Sequence, residues 1–153
     1  MIDSSQNNIY QQTLAKPLII KGVGLHSGVK VKIKLIPAEA DYGIKFVRTD
    51  LKQDNLIHAI WSNVSNTQLS TTISNNFGVS VSTVEHLTSA LSGLHIDNVK
   101  IEIDGPEVPI MDGSSKNFVE LIDDNSLKIL NKTRKIIKIK KKIKVEKDDS
   151  SIE

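Results

Sequence analysis

The 153-residue sequence contains no cysteine, only 4% aromatic residues and no long apolar run. Without cysteine, the chain forms neither a disulfide framework nor a thiolate metal site. No segment approaches the roughly 20 apolar residues of a membrane span, and the N-terminus lacks the basic and apolar regions of a signal peptide. With 39% apolar and 25% charged residues, we expect a globular cytoplasmic protein whose core is built from Ile, Val and Leu.

Positive charge is concentrated near the C-terminal end. Residues 132–147 hold nine Lys or Arg and one Glu, although the whole chain has a net charge of only +2. Such a block raises the question of nucleic acid or an anionic membrane as a partner. Apolar residues and lysines alternate between Ile137 and Val145, which predicts one strand, or two with a bend near Lys141, with a buried face and a solvated lysine face. Because no aromatic residue interleaves with the lysines to stack on bases, we expect no nucleic-acid partner.

Strand patterns dominate the first half of the chain. The pattern of apolar residues and turn residues also indicates a hairpin that turns at Asn75–Asn76. The predicted strands are Leu18–Ile20, Val29–Ile36, Ile44–Arg48, Leu56–Trp61, Leu69–Ile73, Val79–Val81 and 99–103.

Helical patterns follow the hairpin. Val84, Leu87, Leu91 and Leu94 form one apolar stripe at helical spacing, and residues 115–124 begin a second short helix. Strands grouped first and helices later predict an α+β fold, a two-layer sandwich of a small, mostly antiparallel sheet packed by helices on one face. We predict a loose extension over residues 1–12, a first domain over 13–126, and a linker with the first strands of a truncated second domain over 127–153.

Glu85 and His86 stand side by side at the start of the first predicted helix. One interpretation is a capping box, in which Ser82 caps the helix and the Glu85 side chain accepts the backbone N–H of Ser82 in return. The other is hydrolytic chemistry, since histidine is a zinc ligand and a neighbouring carboxylate can accept the proton of an attacking water. A catalytic zinc typically needs three protein ligands. The other histidines are His26, His58 and His95, and none of them is paired on a helix with a second ligand at i, i+4 spacing.

Five ordered blocks of the sequence resemble one enzyme family. They are GVGLHSG, GIKFVRTD, LSTTI, VSTVEHLTSALSGLHIDNVKIEI and EVPIMDGSS. Together, over about Gln12–Glu146, they resemble the N-terminal half of the UDP-3-O-acyl-N-acetylglucosamine deacetylases, the zinc amidases of bacterial lipid A synthesis. The resemblance implies the first of two similar domains, each a small sheet layered with helices, with the active site between them.

The resemblance also implies roles for individual residues. His86 corresponds to a zinc ligand and Glu85 to the base that activates the zinc-bound water. Leu69 and Ser70 correspond to a stretch that lines the substrate site. His26 corresponds to a loop residue near the catalytic cleft, which implies a supporting role, although a structural hydrogen bond is an equally good interpretation. Asp112, in the PIMDGSS turn, is expected to cap the helix that follows it.

Other parts of the family's site are missing from the sequence. The remaining His and Asp zinc ligands belong to a His-Lys-x-x-Asp motif of the second domain, which does not occur here. We therefore expect the full-length parent to hydrolyse the N-acetyl group of UDP-3-O-acyl-N-acetylglucosamine with Zn²⁺, and this chain alone to be inactive. The alternative is a non-catalytic binding or interaction domain that keeps the fold without the chemistry.

Overall fold

The computed structural model describes residues 9–153; residues 1–8, which hold most of the predicted N-terminal extension, lie outside them. Neither helix among the described residues is long and apolar enough to cross a membrane. The strands are β1 Tyr10–Leu14, β2 Leu18–Val23, β3 Lys30–Pro37, β4 Ile44–Arg48, β5 Leu56–His58, β6 Val64–Asn66, β7 Thr72–Ser74, β8 Ser80–Val81, β9 Val99–Ile103, β10 Leu127–Thr133, β11 Val145–Lys147 and β12 Ser150–Ile152, and the helices are α1 Glu85–Gly93 and α2 Lys116–Asp123.

The largest sheet has five strands in the order β2-β3-β9-β4-β5. Its neighbours pair antiparallel except for β4 and β9, which run parallel. A smaller antiparallel sheet, β6-β7-β8, precedes α1. The predicted α+β class with mostly antiparallel strands is therefore confirmed.

The core lies between one face of the five-stranded sheet and the two helices. Alternation in β3 buries Val31, Ile33 and Leu35 and leaves the lysines between them on the opposite face. Each fully buried side chain of this kind is worth roughly 1.5–3 kcal/mol. The inward residues of the sheet join one cluster with those of the helices, among them Leu87, Leu91, Phe118 and Ile122. This packing determines where α1 begins relative to the sheet.

Most predicted strands are confirmed, with changes in extent. The strand predicted at Leu56–Trp61 ends at His58, and Trp61–Asn63 forms a 3-10 turn. The predicted hairpin is present but short, with Ile73 opposite Val81. Its turn is closed by the Asn75 side chain, whose Oδ1 accepts the backbone N–H groups of Phe77 and Val79 at 3.0 and 3.1 Å.

Two stretches predicted to be irregular are paired strands. Residues 10–12, assigned from sequence to a loose extension, belong to β1, and residues 127–133, assigned to a linker, form β10 antiparallel to it. The polar residues of β1 misled the prediction because their partners are remote in sequence: Gln11 Oε1 accepts hydrogen bonds from Asp41 N and Asn98 Nδ2 at 2.8 and 2.9 Å. The division of the chain into domains at these points stays a prediction.

The strand predicted across Ile137–Val145 is wrong. Only Val145 lies in a strand, β11, which pairs with β12 in a short hairpin. The apolar side chains of the stretch are 58% exposed or more. Alternation alone does not make a strand, because a strand also needs a neighbour for its backbone N–H and C=O groups.

Candidate active site at the start of helix α1

Glu85 and His86 are the first two residues of α1. Val84, Leu87 and Leu91 are buried in the core and hold the helix against the sheet. Glu85 and His86 themselves are half-buried at the helix end. The sequence prediction that both polar side chains lie beside the helix N-terminus is confirmed.

The capping-box interpretation is wrong. The residue at the N-cap position of α1 is Val84, and no side chain within residues 9–153 caps the helix. Ser82 is occupied elsewhere, because its N–H donates to Pro106 O at 2.9 Å in a bridge between Ser82 and Glu107. Glu85 instead accepts the backbone N–H of Thr71 at 3.0 Å through Oε2. Its other carboxylate oxygen, Oε1, has no hydrogen-bond partner among residues 9–153.

The Glu85–Thr71 hydrogen bond brings the segment 69–71 beside the helix start. A second bond, from Val84 N to Thr71 O at 3.3 Å, reinforces the contact. Leu69 is 91% exposed and has a φ of 61°, in the left-handed region. For a bulky residue this conformation is an outlier of the kind that clusters at functional sites. Leu69 and Ser70 thus directly precede the residue whose backbone N–H binds the Glu85 carboxylate.

A second cluster lies just before the helix and joins His26, Thr83 and Glu107. Glu107 is 2% exposed. Its Oε1 accepts the Thr83 hydroxyl at 2.8 Å and the backbone N–H of His26 at 3.0 Å, and lies 2.9 Å from His26 Nδ1. Its Oε2 accepts the backbone N–H of Ser27 at 2.8 Å. The buried carboxylate therefore ties the loop between β2 and β3 to the entry of α1.

Glu107 is held as a carboxylate by this environment. Burial raises its pKa, but hydrogen bonds from the His26 and Ser27 backbone and from the Ser27 and Thr83 hydroxyls outweigh burial and lower the pKa to about 2. The carboxylate also excludes a side chain at position 24. A Cβ built on Gly24 would lie 2.4 Å from Glu107 Oε2 and 2.3 Å from Ser27 Oγ, so the close approach requires glycine.

The sequence profile of one protein family, LpxC, described as UDP-3-O-acyl N-acetylglycosamine deacetylase, matches residues 11–153. The chain belongs to this family. It is 49% identical to the UDP-3-O-acyl-N-acetylglucosamine deacetylase of Mannheimia succiniciproducens over 92% of its length. It is 48% identical to the enzyme of the same name from Pasteurella multocida over 92% of its length, and 50% identical to that of Syntrophotalea carbinolica over 88%.

The chain spans less than half the length of these LpxC relatives. The matches cover 46%, 46% and 43% of the proteins from Mannheimia, Pasteurella and Syntrophotalea. The family of this chain is therefore established. Whether the chain shares the activity of the full-length relatives is a separate question.

The donor set does not by itself fit a catalytic zinc ion. Within residues 9–153, no three His, Cys, Asp or Glu side chains converge to hold a metal. His86 supplies one imidazole at the helix start. His95 contacts Arg134 instead, with its Nδ1 3.3 Å from Arg134 Nη1. His58 lies exposed on the edge strand β5. Among residues 9–153, the imidazole of His86 is therefore the candidate ligand at the helix start for the zinc that the LpxC resemblance implies.

Asp112 does not cap α2 directly. Its Oδ1 accepts the N–H and the hydroxyl of Ser114 at 3.0 and 2.9 Å, and Ser114 Oγ in turn accepts the N–H of Lys116 at 3.1 Å. The predicted cap is thus replaced by a relay through Ser114, because Asp112 stands too far ahead of the helix. Hydrogen bonds from Ser114 lower the pKa of Asp112.

Sequence reasoning missed Glu107 and Thr83. In the sequence, Glu107 opens the block EVPIMDGSS, in which only Asp112 received a role, and Thr83 lies between Ser82 and Glu85 of the capping-box pattern without a role of its own. A signal was present, because Glu107 directly precedes the apolar residues Val108, Pro109 and Ile110. An acid that such neighbours bury needs hydrogen-bonding or charged partners. What it contacts was not readable, since its partner His26 is 81 residues away.

Proposed function

We propose that this chain contributes Glu85 and His86 to the active site of a deacetylase that hydrolyses the N-acetyl group of UDP-3-O-acyl-N-acetylglucosamine. Water and the amide are consumed, and acetate and the free amine are released. The observation that carries the proposal is the placement of Glu85 and His86 at the start of α1 in a chain about 49% identical to enzymes of that name. The proposal includes lipid A biosynthesis as the pathway and the cytoplasm as the location.

In this proposal His86 donates an imidazole nitrogen to zinc, and the remaining ligands come from the part of the relatives' length that this chain does not span. The chemistry that zinc supplies in such a site is a water of lowered pKa and a polarised carbonyl. Glu85 accepts the proton of the attacking water. Its geometry suits this task, because Oε2 is held by Thr71 N while Oε1 has no partner among the described residues.

Leu69 and Ser70 bind the substrate in this proposal. The Leu69 side chain is exposed two residues before Thr71, whose N–H binds Glu85, so it offers apolar surface to the acyl group of the substrate. The strained backbone at Leu69 supports a role in binding, since the left-handed conformation of a leucine costs about 1–3 kcal/mol without benefit to the core.

A chimera tests the proposal, with the matching segment of the Mannheimia succiniciproducens enzyme replaced by this chain. We expect the chimera to deacetylate the substrate. Glu85→Gln should lower kcat by about 10²–10⁴-fold, the range of a general base, and His86→Ala should lower the bound zinc as well as turnover. Leu69→Asn, which tolerates the left-handed backbone, should raise KM more than it lowers kcat.

Two control variants accompany these measurements. Glu102→Gln removes an acid that pairs with Lys100 on the sheet at 2.7 Å, and His58→Ala removes an exposed histidine on β5; neither should change turnover by more than about twofold. A folded chimera without activity, or one indifferent to Glu85→Gln, would contradict the proposal and favour a non-catalytic binding domain.

A further inference from the structure

The His26–Thr83–Glu107 cluster is more elaborate than a loop anchor needs. Four of the donors to the buried Glu107 carboxylate come from two segments: the backbone N–H groups of His26 and Ser27 and the His26 ring from one, and the Thr83 hydroxyl from the other. Two backbone bonds alone would attach the loop between β2 and β3. The ring contact adds no anchoring that the His26 backbone does not already provide, so it calls for another explanation.

The chemistry of the acceptor determines which nitrogen of the neutral His26 ring carries the proton. An ionised carboxylate only accepts hydrogen bonds, and the low pKa of Glu107 keeps it ionised. The 2.9 Å contact with His26 Nδ1 is therefore a bond from Nδ1–H to Glu107 Oε1. In the neutral imidazole the proton is then on Nδ1, and Nε2 carries a free lone pair.

The ring geometry directs that lone pair outward. The two ring nitrogens point in divergent directions, so a ring whose Nδ1 faces buried Glu107 turns Nε2 away from it. The side chain of His26 is 41% exposed, against 2% for Glu107. A buried acid behind a half-exposed imidazole is the arrangement in which a carboxylate sets the tautomer and orientation of a functional histidine.

Thr83 places this pair close to the candidate active site. It stands two residues before Glu85 and donates to the same Glu107 oxygen as the His26 ring. It also has a φ of 55°, a strained conformation for a β-branched residue. The Thr83–Glu107 hydrogen bond holds the chain in that conformation at the entry of α1, so strain and cluster share one location.

We propose that Glu107 is a positioning residue that holds the His26 imidazole with Nε2 turned outward, where it accepts a hydrogen bond from a hydroxyl of the sugar substrate beside the start of α1. The substrate part of this inference rests on the proposed function. The orientation and tautomer of His26 do not, and they are tested separately.

The first experiment measures the tautomer in the 153-residue chain. Nitrogen NMR of histidine-labelled protein, recorded at a pH well above the ordinary imidazole range and with His26 assigned by the loss of its signals in His26→Gln, should show Nδ1 protonated and Nε2 bare. Glu107→Gln leaves one amide oxygen for four donors, so the signal should move towards the tautomer mixture of a free imidazole. Thr83→Val is the matched control, because it removes one donor to Glu107 and a 3.5 Å contact with His26 Nδ1 but leaves the 2.9 Å contact between Nδ1 and Glu107, and the tautomer should persist.

The wild-type spectrum is decisive even where Glu107→Gln fails to fold. A proton on Nε2 of the neutral ring overturns the assignment of His26 as an acceptor. An unchanged tautomer in a folded Glu107→Gln variant overturns the role of Glu107.

The second experiment is a double-mutant cycle in the chimera. His26→Gln and Glu107→Gln should each lower kcat/KM by roughly tenfold, mainly by raising KM, as expected for one lost substrate hydrogen bond. Because Glu107 acts through His26, Glu107→Gln should have no further effect in the His26→Gln background. A purely structural Glu107 would add its full effect there, which would overturn the proposal.

The two experiments separate the two proposals. A chimera without any turnover contradicts the proposed function while the NMR result still decides the orientation of His26. An active chimera in which His26→Gln leaves KM unchanged overturns the substrate contact alone.

Discussion

Two segments of this chain have the same alternation of apolar residues and lysines but different structures. Strand β3, Lys30–Pro37, pairs with β2 on one side and β9 on the other and buries its apolar face. The segment 137–144 has no strand neighbour among the described residues, and its isoleucines are exposed. Period two therefore predicts which residues share a face, and a strand forms only where the fold supplies neighbours for its backbone.

The largest expected difference between the two segments is in the effect of replacing an isoleucine by alanine. Ile33 in β3 is 0% exposed and Ile137 is 97% exposed. Ile33→Ala should lower the free energy of unfolding by about 2–5 kcal/mol, because it leaves a cavity in the core. Ile137→Ala should change it by less than about 0.5 kcal/mol. Urea unfolding of the two variants measures both, and equal losses would mean that segment 137–144 packs against a core after all.

A second prediction concerns the stability at low pH, because the Glu107 carboxylate is buried. The pKa of Glu107 is lowered from 4.5 to about 2. Because the folded-state pKa is depressed, the stabilisation is complete above about pH 4.5 and is lost as the pH falls from there through about 2. It amounts to something on the order of 3 kcal/mol.

The measurement is the free energy of unfolding at about pH 6 and about pH 3, within that window. Glu107→Gln should flatten the difference between the two values. Glu146→Gln, in the exposed hairpin β11–β12, is the matched control and should leave the difference unchanged. A wild-type chain equally stable at both pH values would show that Glu107 is not held ionised by its hydrogen bonds.

The smallest expected effect concerns the lysines. In the sheet, Lys21 of β2 lies directly opposite Lys32 of β3, and like charges in that position are destabilising. Lys21→Glu should raise the free energy of unfolding by about 0.2–1 kcal/mol at low salt, with less gain at high salt. Lys140→Glu, in the segment without strand neighbours, should produce no measurable change; an equal gain there would point to a general charge effect rather than to strand pairing.

Much of the fold was predictable because periodicity reports local geometry. The bounds of β4 agree with prediction to the residue, β9 is present where its alternation predicts it, and α1 begins one residue after the first residue of its apolar stripe. The pairing of β1 with β10 was not predictable, because buried Gln11 resembles a surface residue until its partner Asn98 is known. Hydrogen bonds between remote polar groups leave no periodic signal.

The candidate site divides in the same way. Glu85 and His86 follow from the helix and from the resemblance to the deacetylase family. The contact of Glu85 with Thr71 and the burial of Glu107 behind His26 required the folded structure. The capping-box pattern was misleading because the backbone turns at Thr83 and takes Ser82 into a bridge with Glu107.

By itself, the amino-acid order determined which residues of each strand face the core and where the acid–imidazole pair stands on its helix, since both depend on spacings of a few residues. Only the tertiary structure decided which strands found neighbours, which acid became buried, and which ring nitrogen of His26 faces it. Those outcomes depend on free energies of contact between groups that are 81 residues apart or more, and no local pattern encodes them.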